Sequence, residues 1–424
     1  MLPYGRQTID EDDIAAVVRA LRSDFLTCGP EVEAFENEFA QFVGAKHAVA
    51  VANATDALHL AMLVSGIGPG DRVITSPNTF LASANCAAFV GATPDFCDID
   101  PISHNLDPVA LERDWKPDTK AVIAVAYAGQ AANMPEIARI ARERNAVVIE
   151  DACHGTGGGF TFAGKEWKLG GHPWADITTF SFHPVKTLTT GEGGMIVTDN
   201  DEFARAARQL RAHGIERDSS RFQGFGSDDP AYREIGPWVY EMQELGFNHR
   251  ITDIQCALGR SQLKKLDQFI DRRLEIVARY NEAFASLPWL RVPELADWLQ
   301  SPTDPPAHRN TDFSSEALAE VETPKHRICW HLYTVLIDFV SIGKTRTQAM
   351  AELRNKGVGT QVLYIPVHLQ PWYRTTYGYE HGKCPVAESY YGRALSLPLY
   401  PAMSEEDVEH VTAAVKSLVG RDTE

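Results

Sequence analysis

In the stretch Met134-Pro-Glu-Ile-Ala-Arg-Ile-Ala-Arg-Glu-Arg-Asn-Ala-Val-Val-Ile-Glu-Asp151, two periods meet. Ile137, Ile140 and Ala141 recur at helical spacing through Met134–Arg144, and the apolar run Ala146–Ile149 that follows reads as a strand stopping at Glu150 and Asp151. A helix running almost directly into an apolar strand is the repeating unit of a mainly parallel sheet covered by helices. The same alternation continues outward on both sides. Ala48–Ala52, Arg72–Thr75, Pro94–Ile99 and Ala121–Tyr127 read as strands on the N-terminal side, with helices at Asp56–Val64 and Leu81–Val90. On the C-terminal side, Ile177–Phe182 and Met195–Thr198 read as strands joined by the loop His183–Gly194. Ligand chemistry in such sheets collects beyond the carboxyl ends of the strands. That rule singles out Asn53–Thr55, Pro77–Phe80, Asp151–His154 and Ser181–Lys186.

The spacing then predicts one long helix from Asp253 to about Leu287 and a second unit beyond it. That unit has a strand at Trp330–Phe339, a helix at Arg346–Lys356, a strand at Thr360–Tyr364 and an amphipathic helix over Glu405–Leu418 with Ser404 as its N-cap. Pro293–Lys325, rich in Pro, Asp, Glu, Ser and Thr, reads as a polar surface insertion or flap. The expected division is a large ligand-binding domain over 1–262, whose first ~20 residues pack on the small domain, and a smaller α/β C-terminal domain over 263–424 with the insertion at 293–325.

Composition narrows the function classes. The chain has 424 residues, 44% apolar and 23% charged, and 40 Lys and Arg against 57 Asp and Glu give a net charge of −17. Such a field repels nucleic acid and anionic membrane, so neither is expected as a partner. The most apolar stretch, Ala121–Ala128, falls short of the ~20 residues of a membrane-spanning helix. Met1–Asp13 carries Asp10, Glu11, Asp12 and Asp13 where an export signal needs a basic start and an apolar run. The seven cysteines contain no CxxC pair. The expectation is a cytoplasmic protein with neither a disulfide framework nor a metal site.

Four strand-end segments carry residues suited to chemistry. Lys186 closes Ser181-Phe-His-Pro-Val-Lys186 and precedes the Gly-rich turn Thr187–Gly194. A lysine delivered to a pocket loses proton affinity by burial, the condition for a Schiff base, although a surface loop lysine would give the same letters. Asp151 lies at the end of an apolar strand. A carboxylate there can keep a pyridine nitrogen protonated, which makes the ring of pyridoxal phosphate an electron sink; a helix cap or a metal ligand are the plainer alternatives. Thr55 and Asp56 sit at a strand-to-helix junction whose free N–H groups favour a phosphate, and the same residues would serve as an ordinary N-cap. Ser181 offers a hydroxyl from the opposite side. Phe80 could stack on a planar ring or simply pack in the core.

Five ordered motifs carry a resemblance: Asp151-Ala-Cys-His154, Ser181-Phe-His-Pro-Val-Lys186, Thr189-Thr-Gly-Glu-Gly-Gly194, Glu244-Leu-Gly-Phe-Asn-His-Arg-Ile-Thr-Asp-Ile-Gln255 and Tyr364-Ile-Pro-Val-His-Leu-Gln-Pro371. Together, and from Tyr4-Gly-Arg6 to Ala394–Pro398, the chain resembles the DegT/DnrJ/EryC1/StrS family of pyridoxal-phosphate-dependent nucleotide-sugar aminotransferases. The resemblance implies the fold-type I, aspartate-aminotransferase-like α/β fold and pyridoxal 5′-phosphate as cofactor. It implies that Lys186 forms the Schiff base and shuttles the proton, that Asp151 pairs with the ring nitrogen and that His154 sits beside the ring. Thr55, Asp56 and Ser181 would hold the phosphate, and Phe80 would stack on the ring. Asn248 would reach the phosphate of the other subunit, so a homodimer with shared active sites is expected. Tyr4, Arg6, His183, Arg250, His331, Tyr364 and His368 are candidate substrate contacts; the cationic ones, with His213, would offset the negative field for an anionic sugar nucleotide and glutamate.

Some members of the family carry histidine in place of the lysine and dehydrate sugars. Lys186 argues for transamination. Pro3–Asp13, Thr75–Asn85 and Arg211–Asp218 are most similar to the subgroup that makes UDP-4-amino-4,6-dideoxy-N-acetyl-β-L-altrosamine for pseudaminic acid, with glutamate as amino donor. Other UDP-, dTDP- or GDP-4-keto-6-deoxyhexoses, a catalytically silent regulatory homologue, and an amino-acid transaminase or carbon–sulfur lyase stand as alternatives. Cys28, where the family more often has Gln or Thr, and the length of the 293–325 segment depart from the pattern.

Overall fold

The computed structural model describes residues 1–224, 236–300 and 327–419. Its centre is a seven-stranded sheet built from β1 (His47–Val51), β2 (Arg72–Thr75), β3 (Thr93–Phe96), β4 (Thr119–Val125), β5 (Val147–Asp151), β8 (Ile177–Ser181) and β9 (Gly194–Thr198), with β6 (Gly159–Phe162) and β7 (Lys165–Lys168) forming a separate hairpin. The spatial order is β1-β9-β8-β5-β4-β2-β3. Only β9 runs against the others: it pairs antiparallel with β1 and β8, whereas β8-β5, β5-β4, β4-β2 and β2-β3 are parallel. Parallel strands are buried on both faces. Accordingly Ala121, Ile123 and Ile149 enter the apolar cluster on one side, while Val122, Ala124 and Val148 join Ile137, Ile140 and Ala141 on the other.

Helix starts are sealed by the residues just ahead of them. Asn53 caps Ala54–Val64 by accepting from the Asp56 N–H, Asn133 caps Met134–Arg142, and Ser404 forms a reciprocal capping box with Asp407 on Glu405–Lys416. Beyond the short hairpin of β10 (Ile215–Glu216) and β11 (Glu241–Met242), a three-stranded antiparallel sheet of β12 (Leu290–Arg291), β13 (Tyr333–Ile337) and β14 (Ala394–Leu397) forms the second unit. The helix Leu266–Phe284 carries Ile270, Ile276, Val277, Tyr280 and Phe284 into the core that both units share.

The N-terminal residues touch both units. Leu2 bridges to Val358 and Leu399 N–H donates to Tyr4 O, while the helix Glu11–Leu21 lies on Asp253–Leu263. This packing corrects one expectation. The long helix over 253–287 is two helices, Asp253–Leu263 and Leu266–Phe284, because Lys265 turns its ammonium onto Asp10 (2.6 Å) and Asp13 (2.8 Å), and Gln262 donates to Asp13 (2.7 Å). The strand expected over 360–364 is reduced to one bridge, Gln361 to Ser396, after which the chain leaves the sheet and delivers Leu363 and Tyr364 to a cleft. Within 293–325, Asp297–Gln300 is a single helical turn and residues 301–325 lie outside the described residues. No helix among the described residues is long and apolar enough to cross a membrane.

Candidate active site

A cleft of about 610 Å³ opens at the carboxyl ends of the strands. Lys186, Asp151, Thr55, Asp56, Phe80, His154 and Ser181 all line it, together with Tyr4, His183 and Tyr364. Residues separated by up to 360 positions in sequence are thus brought to one place by the rule that governs strand ends.

Asp151 is the last residue of β5 and is 4% exposed. Its Oδ2 accepts from Ser83 Oγ at 2.6 Å and its Oδ1 from the Cys153 N–H at 3.1 Å. Ser83 is in turn 2.7 Å from Thr79 Oγ1. Both oxygens of the carboxylate are therefore held by donors, which suits an acceptor-only, ionised group.

Lys186 lies beyond β8 on a turn closed by its own backbone: Phe182 N–H donates to Gly193 O, Thr190 N–H to Phe182 O and Lys186 N–H to His183 O. Thr189 and Thr190 hydroxyls tie the far side of the turn, at 3.0 and 2.6 Å. Burial of the ammonium lowers the Lys186 pKa from its ordinary value, with Cys153 and Asp151 opposing that shift. A lysine so placed is closer to the neutral, nucleophilic form than one in water.

At the anion-binding corner, Gly194 starts β9 against the Asn53–Ala54 turn, where an added Cβ would stand 2.5 Å from the Asn53 carbonyl. Only glycine lets the helix Ala54–Val64 start this close to the sheet. Its first N–H groups, those of Ala54 and Thr55, have no intrahelical acceptor and point with the helix dipole toward the cleft. Thr55 and Ser181 add hydroxyls. Asp56 behaves differently: its N–H is taken by Asn53 Oδ1 (2.9 Å), and its carboxylate is engaged by Asn53 Nδ2 (3.2 Å) and His249 Nδ1 (3.1 Å).

His154 is 5% exposed, with Nδ1 accepting from the Ala128 N–H (3.3 Å) and Nε2 3.2 Å from the Tyr364 hydroxyl. The backbone donor fixes the tautomer, so Nε2 carries the proton and donates to Tyr364. Ala128 reaches this position with a left-handed φ of 56°, and its carbonyl accepts from the His331 N–H (2.9 Å). The His331 ring packs on His154 with centroids 4.5 Å apart. Burial first, then the Lys186 charge, holds both imidazoles well below the usual histidine range. Burial pushes the Tyr364 phenol well above its own.

The remaining candidates lie off the cleft wall. His368 is fully buried against Glu388 at 2.9 Å. Arg6 joins Lys186 and Arg273 around a small hollow behind the cleft. Asn248 is exposed and its Oδ1 accepts from the Arg250 N–H (3.2 Å), on a segment that pairs with Ala212. His213 is exposed with φ 64°. Ser83 and Thr79 line the cleft as well, as does Cys153; Thr79 and Cys153 fall within strand-end segments singled out from the sequence but were given no role there, and Ser83 lies outside those segments. Two hydroxyls four residues apart at a strand-to-helix junction were the available signal for the first two.

The donor set fits pyridoxal phosphate. A carboxylate floor suits its ring nitrogen, a desolvated lysine its aldehyde, free N–H groups with two hydroxyls its phosphate, and an aromatic ring at the rim its ring face. Among the described residues, no cluster of three or more His, Cys, Asp or Glu is placed to hold a metal ion.

Comparison with known proteins points to the same cofactor. The sequence profile of the DegT/DnrJ/EryC1/StrS aminotransferase family matches residues 7–416. The spore coat polysaccharide biosynthesis protein SpsC of Bacillus subtilis is 41% identical over 419 residues, covering 99% of this chain and 97% of SpsC. Helicobacter pylori PseC, an aminotransferase involved in the biosynthesis of pseudaminic acid, superposes with a TM-score of 0.81 at 25% identity and 99% coverage of both chains. Spr1654 of Streptococcus pneumoniae, solved in its PLP form, superposes with a TM-score of 0.81 at 25% identity, covering 99% of this chain and 98% of Spr1654.

Proposed function

We propose, from the premise that the chain belongs to the DegT/DnrJ/EryC1/StrS family of PLP-dependent sugar aminotransferases, that it transfers an amino group from glutamate to C4 of a nucleotide-linked 4-keto-6-deoxy sugar. The specific reading is UDP-2-acetamido-2,6-dideoxy-β-L-arabino-hex-4-ulose as acceptor, giving UDP-4-amino-4,6-dideoxy-N-acetyl-β-L-altrosamine. The observation that carries the chemistry is that Lys186 and Asp151, at the ends of the neighbouring parallel strands β8 and β5, face one cleft. Likeness to PseC along 99% of the chain supports the sugar. The higher identity to SpsC favours a second reading, in which the acceptor is another nucleotide-linked 4-keto-6-deoxyhexose destined for a surface polysaccharide.

Pyridoxal phosphate, when bound, supplies the electron sink that lets an amino group and a proton pass between donor and acceptor. Thr55, Ser181 and the N–H groups of Ala54 and Thr55 bind its phosphate, and Asp56 assists by anchoring His249 beneath the same corner. Asp151 would hold a proton at the ring nitrogen. Lys186 Nζ, its proton affinity lowered by burial, would take a proton from the reacting carbon of glutamate and return one at C4 of the sugar. Phe80 would cover the ring, and His154 with Tyr364 would close the wall beside it against water. Asn248 serves the cleft of a second copy in a homodimer. In this reading residues 1–262 form the cofactor domain and 263–424 the smaller one.

The test is direct. Purified protein with glutamate and the UDP-linked keto sugar should release 2-oxoglutarate and an amino sugar identified by mass spectrometry. Glutamate alone should change the cofactor absorption and the keto sugar alone should then restore it. Preference for a dTDP- or GDP-linked sugar would select the second reading, and no amine product from any keto sugar would sink both.

A further inference from the structure

The carboxylate at the floor of the cleft has a partner that the aminotransferase reading does not use. Ser83 stands in the first turn of Ala82–Phe89, where a serine ordinarily bonds to nearby backbone. Its hydroxyl instead crosses to Asp151 Oδ2, 68 residues away, at 2.6 Å, and the helix start at Leu81 has no side-chain cap. Thr79 Oγ1 lies 2.7 Å behind it. Thr79, Ser83 and Asp151 are 2%, 1% and 4% exposed, so water does not compete for these bonds. The direction of the chain follows from counting protons. A carboxylate only accepts, so the single Ser83 proton is spent on Asp151 and the Thr79 hydroxyl must donate to Ser83. Each bond polarises the next toward Asp151. The Cys153 N–H, at 3.1 Å from Oδ1, fixes the other oxygen and hence the plane of the carboxylate.

We propose that Ser83, backed by Thr79, is a positioning residue for Asp151: the two hydroxyls keep the carboxylate charged and aimed, and thereby decide how firmly the site holds a proton at the ring nitrogen of its cofactor. The proposal rests on the cofactor assignment above but not on the identity of the sugar. If the Ser83 donor is removed, Asp151 becomes the stronger base and draws that proton toward itself. The ring nitrogen then loses positive charge. With less positive charge nearby, the Lys186 nitrogen bonded to the cofactor holds its own proton to higher pH.

The experiment uses cofactor-loaded wild type, Ser83→Ala, Ser83→Thr and Thr79→Val. The absorption of the bound cofactor is titrated against pH with no substrate present, and the single-turnover rate with glutamate alone is then measured. Ser83→Ala should raise the midpoint of the absorption titration by about half a pH unit or more. It should also slow the glutamate half-reaction on the order of 10-fold, with glutamate affinity changed less than about twofold. Ser83→Thr should restore both, and Thr79→Val should shift both in the same direction by less. A Ser83→Ala protein that keeps its cofactor with an unmoved midpoint, or a Ser83→Thr protein that fails to rescue, overturns the proposal and leaves Ser83 as a tie between helix and sheet. If Ser83→Ala does not fold, an unmoved midpoint in Thr79→Val overturns it equally. Wild type with no cofactor absorption overturns the cofactor assignment and this proposal together. Failure of every keto sugar touches only the sugar reading.

Discussion

The floor of the cleft and its rim are built to opposite rules. On the floor, Thr79, Ser83, Asp151, His154 and His331 are 5% exposed or less. The side chains of Thr79, Ser83, Asp151 and His154 all have hydrogen-bond partners, whereas Nδ1 of His331 is bare. On the rim and the surface beside it, Phe80 is 57% exposed, Phe247 62% and Leu245 83%, and Asn248 stands in the open. A buried floor fixes charge and proton position within one chain, where desolvation makes each hydrogen bond count. An apolar, open rim has its energy still to gain from a molecule that covers it, whether substrate or a second copy. The comparison teaches that the polar contacts of the floor are made within one chain, whereas the rim leaves apolar surface uncovered.

The sharpest way to break that division is at Lys186. Lys186→Ala should lose turnover by on the order of 10⁴-fold or more, while melting close to wild type, and borohydride should no longer fix cofactor on the peptide containing residue 186. Label on Lys165 or Lys168 would move the floor elsewhere. The same variant probes the rim. Mixed with Asn248→Ala chains, it should regain roughly a quarter of the wild-type sites after random subunit exchange, because one site of each mixed dimer has both residues intact. A dead mixture with exchange demonstrated by mass spectrometry would put Asn248 to work within its own chain.

Asp151→Asn comes next, with an expected fall in kcat of about 10²- to 10³-fold at nearly unchanged substrate KM, since an amide cannot hold a ring nitrogen protonated. Near-wild-type turnover would mean that Asp151 is a structural acceptor for Ser83 and Cys153 only.

A third effect is thermodynamic and confined to the floor. His154 and His331 stay neutral in the fold well below the ordinary pKa near 6.5, whereas the unfolded chain takes up their protons there. The unfolded state therefore binds protons first, and stability present above about pH 6.5 is lost as pH falls below it, by up to about 1.4 kcal/mol per pH unit for each ring. Calorimetry of cofactor-free protein between pH 7.5 and 5.5 should show this fall, and His331→Gln should flatten it. Equal slopes would indicate that the His331 ring is solvated. The smallest effect belongs to the rim: Phe80→Ala should change stability by less than about 0.5 kcal/mol, because the ring is half in solvent, while cofactor affinity drops a few-fold through lost stacking. A large loss of stability would make Phe80 part of the core.

The positions of the central strands, the mainly parallel character of their sheet and the placement of Asp151, Lys186, Thr55 and Ser181 at strand ends were legible from apolar runs and their punctuation, whereas the spatial order of the strands was not. The misreadings share a cause. The break between Leu263 and Leu266 answers to Asp10 and Asp13, some 250 residues earlier, and periodicity within a window carries no trace of a distant carboxylate. Gln361 does find its strand partner, yet the following residues are drawn off by Tyr364 and its bond to His154.

The sequence by itself determined an α/β fold with a mainly parallel sheet and its strand-end segments, because these follow from local period, and the resemblance of its ordered motifs supplied the transaminase reading that single side chains left open. Only the tertiary structure decided which oxygen of Asp151 meets Ser83, that the Asp56 carboxylate is spent on Asn53 and His249, and that His154 is locked as one tautomer by the N–H of Ala128. Each of those facts is a hydrogen bond whose partner is chosen by distance and angle in space. A linear sequence does not record either.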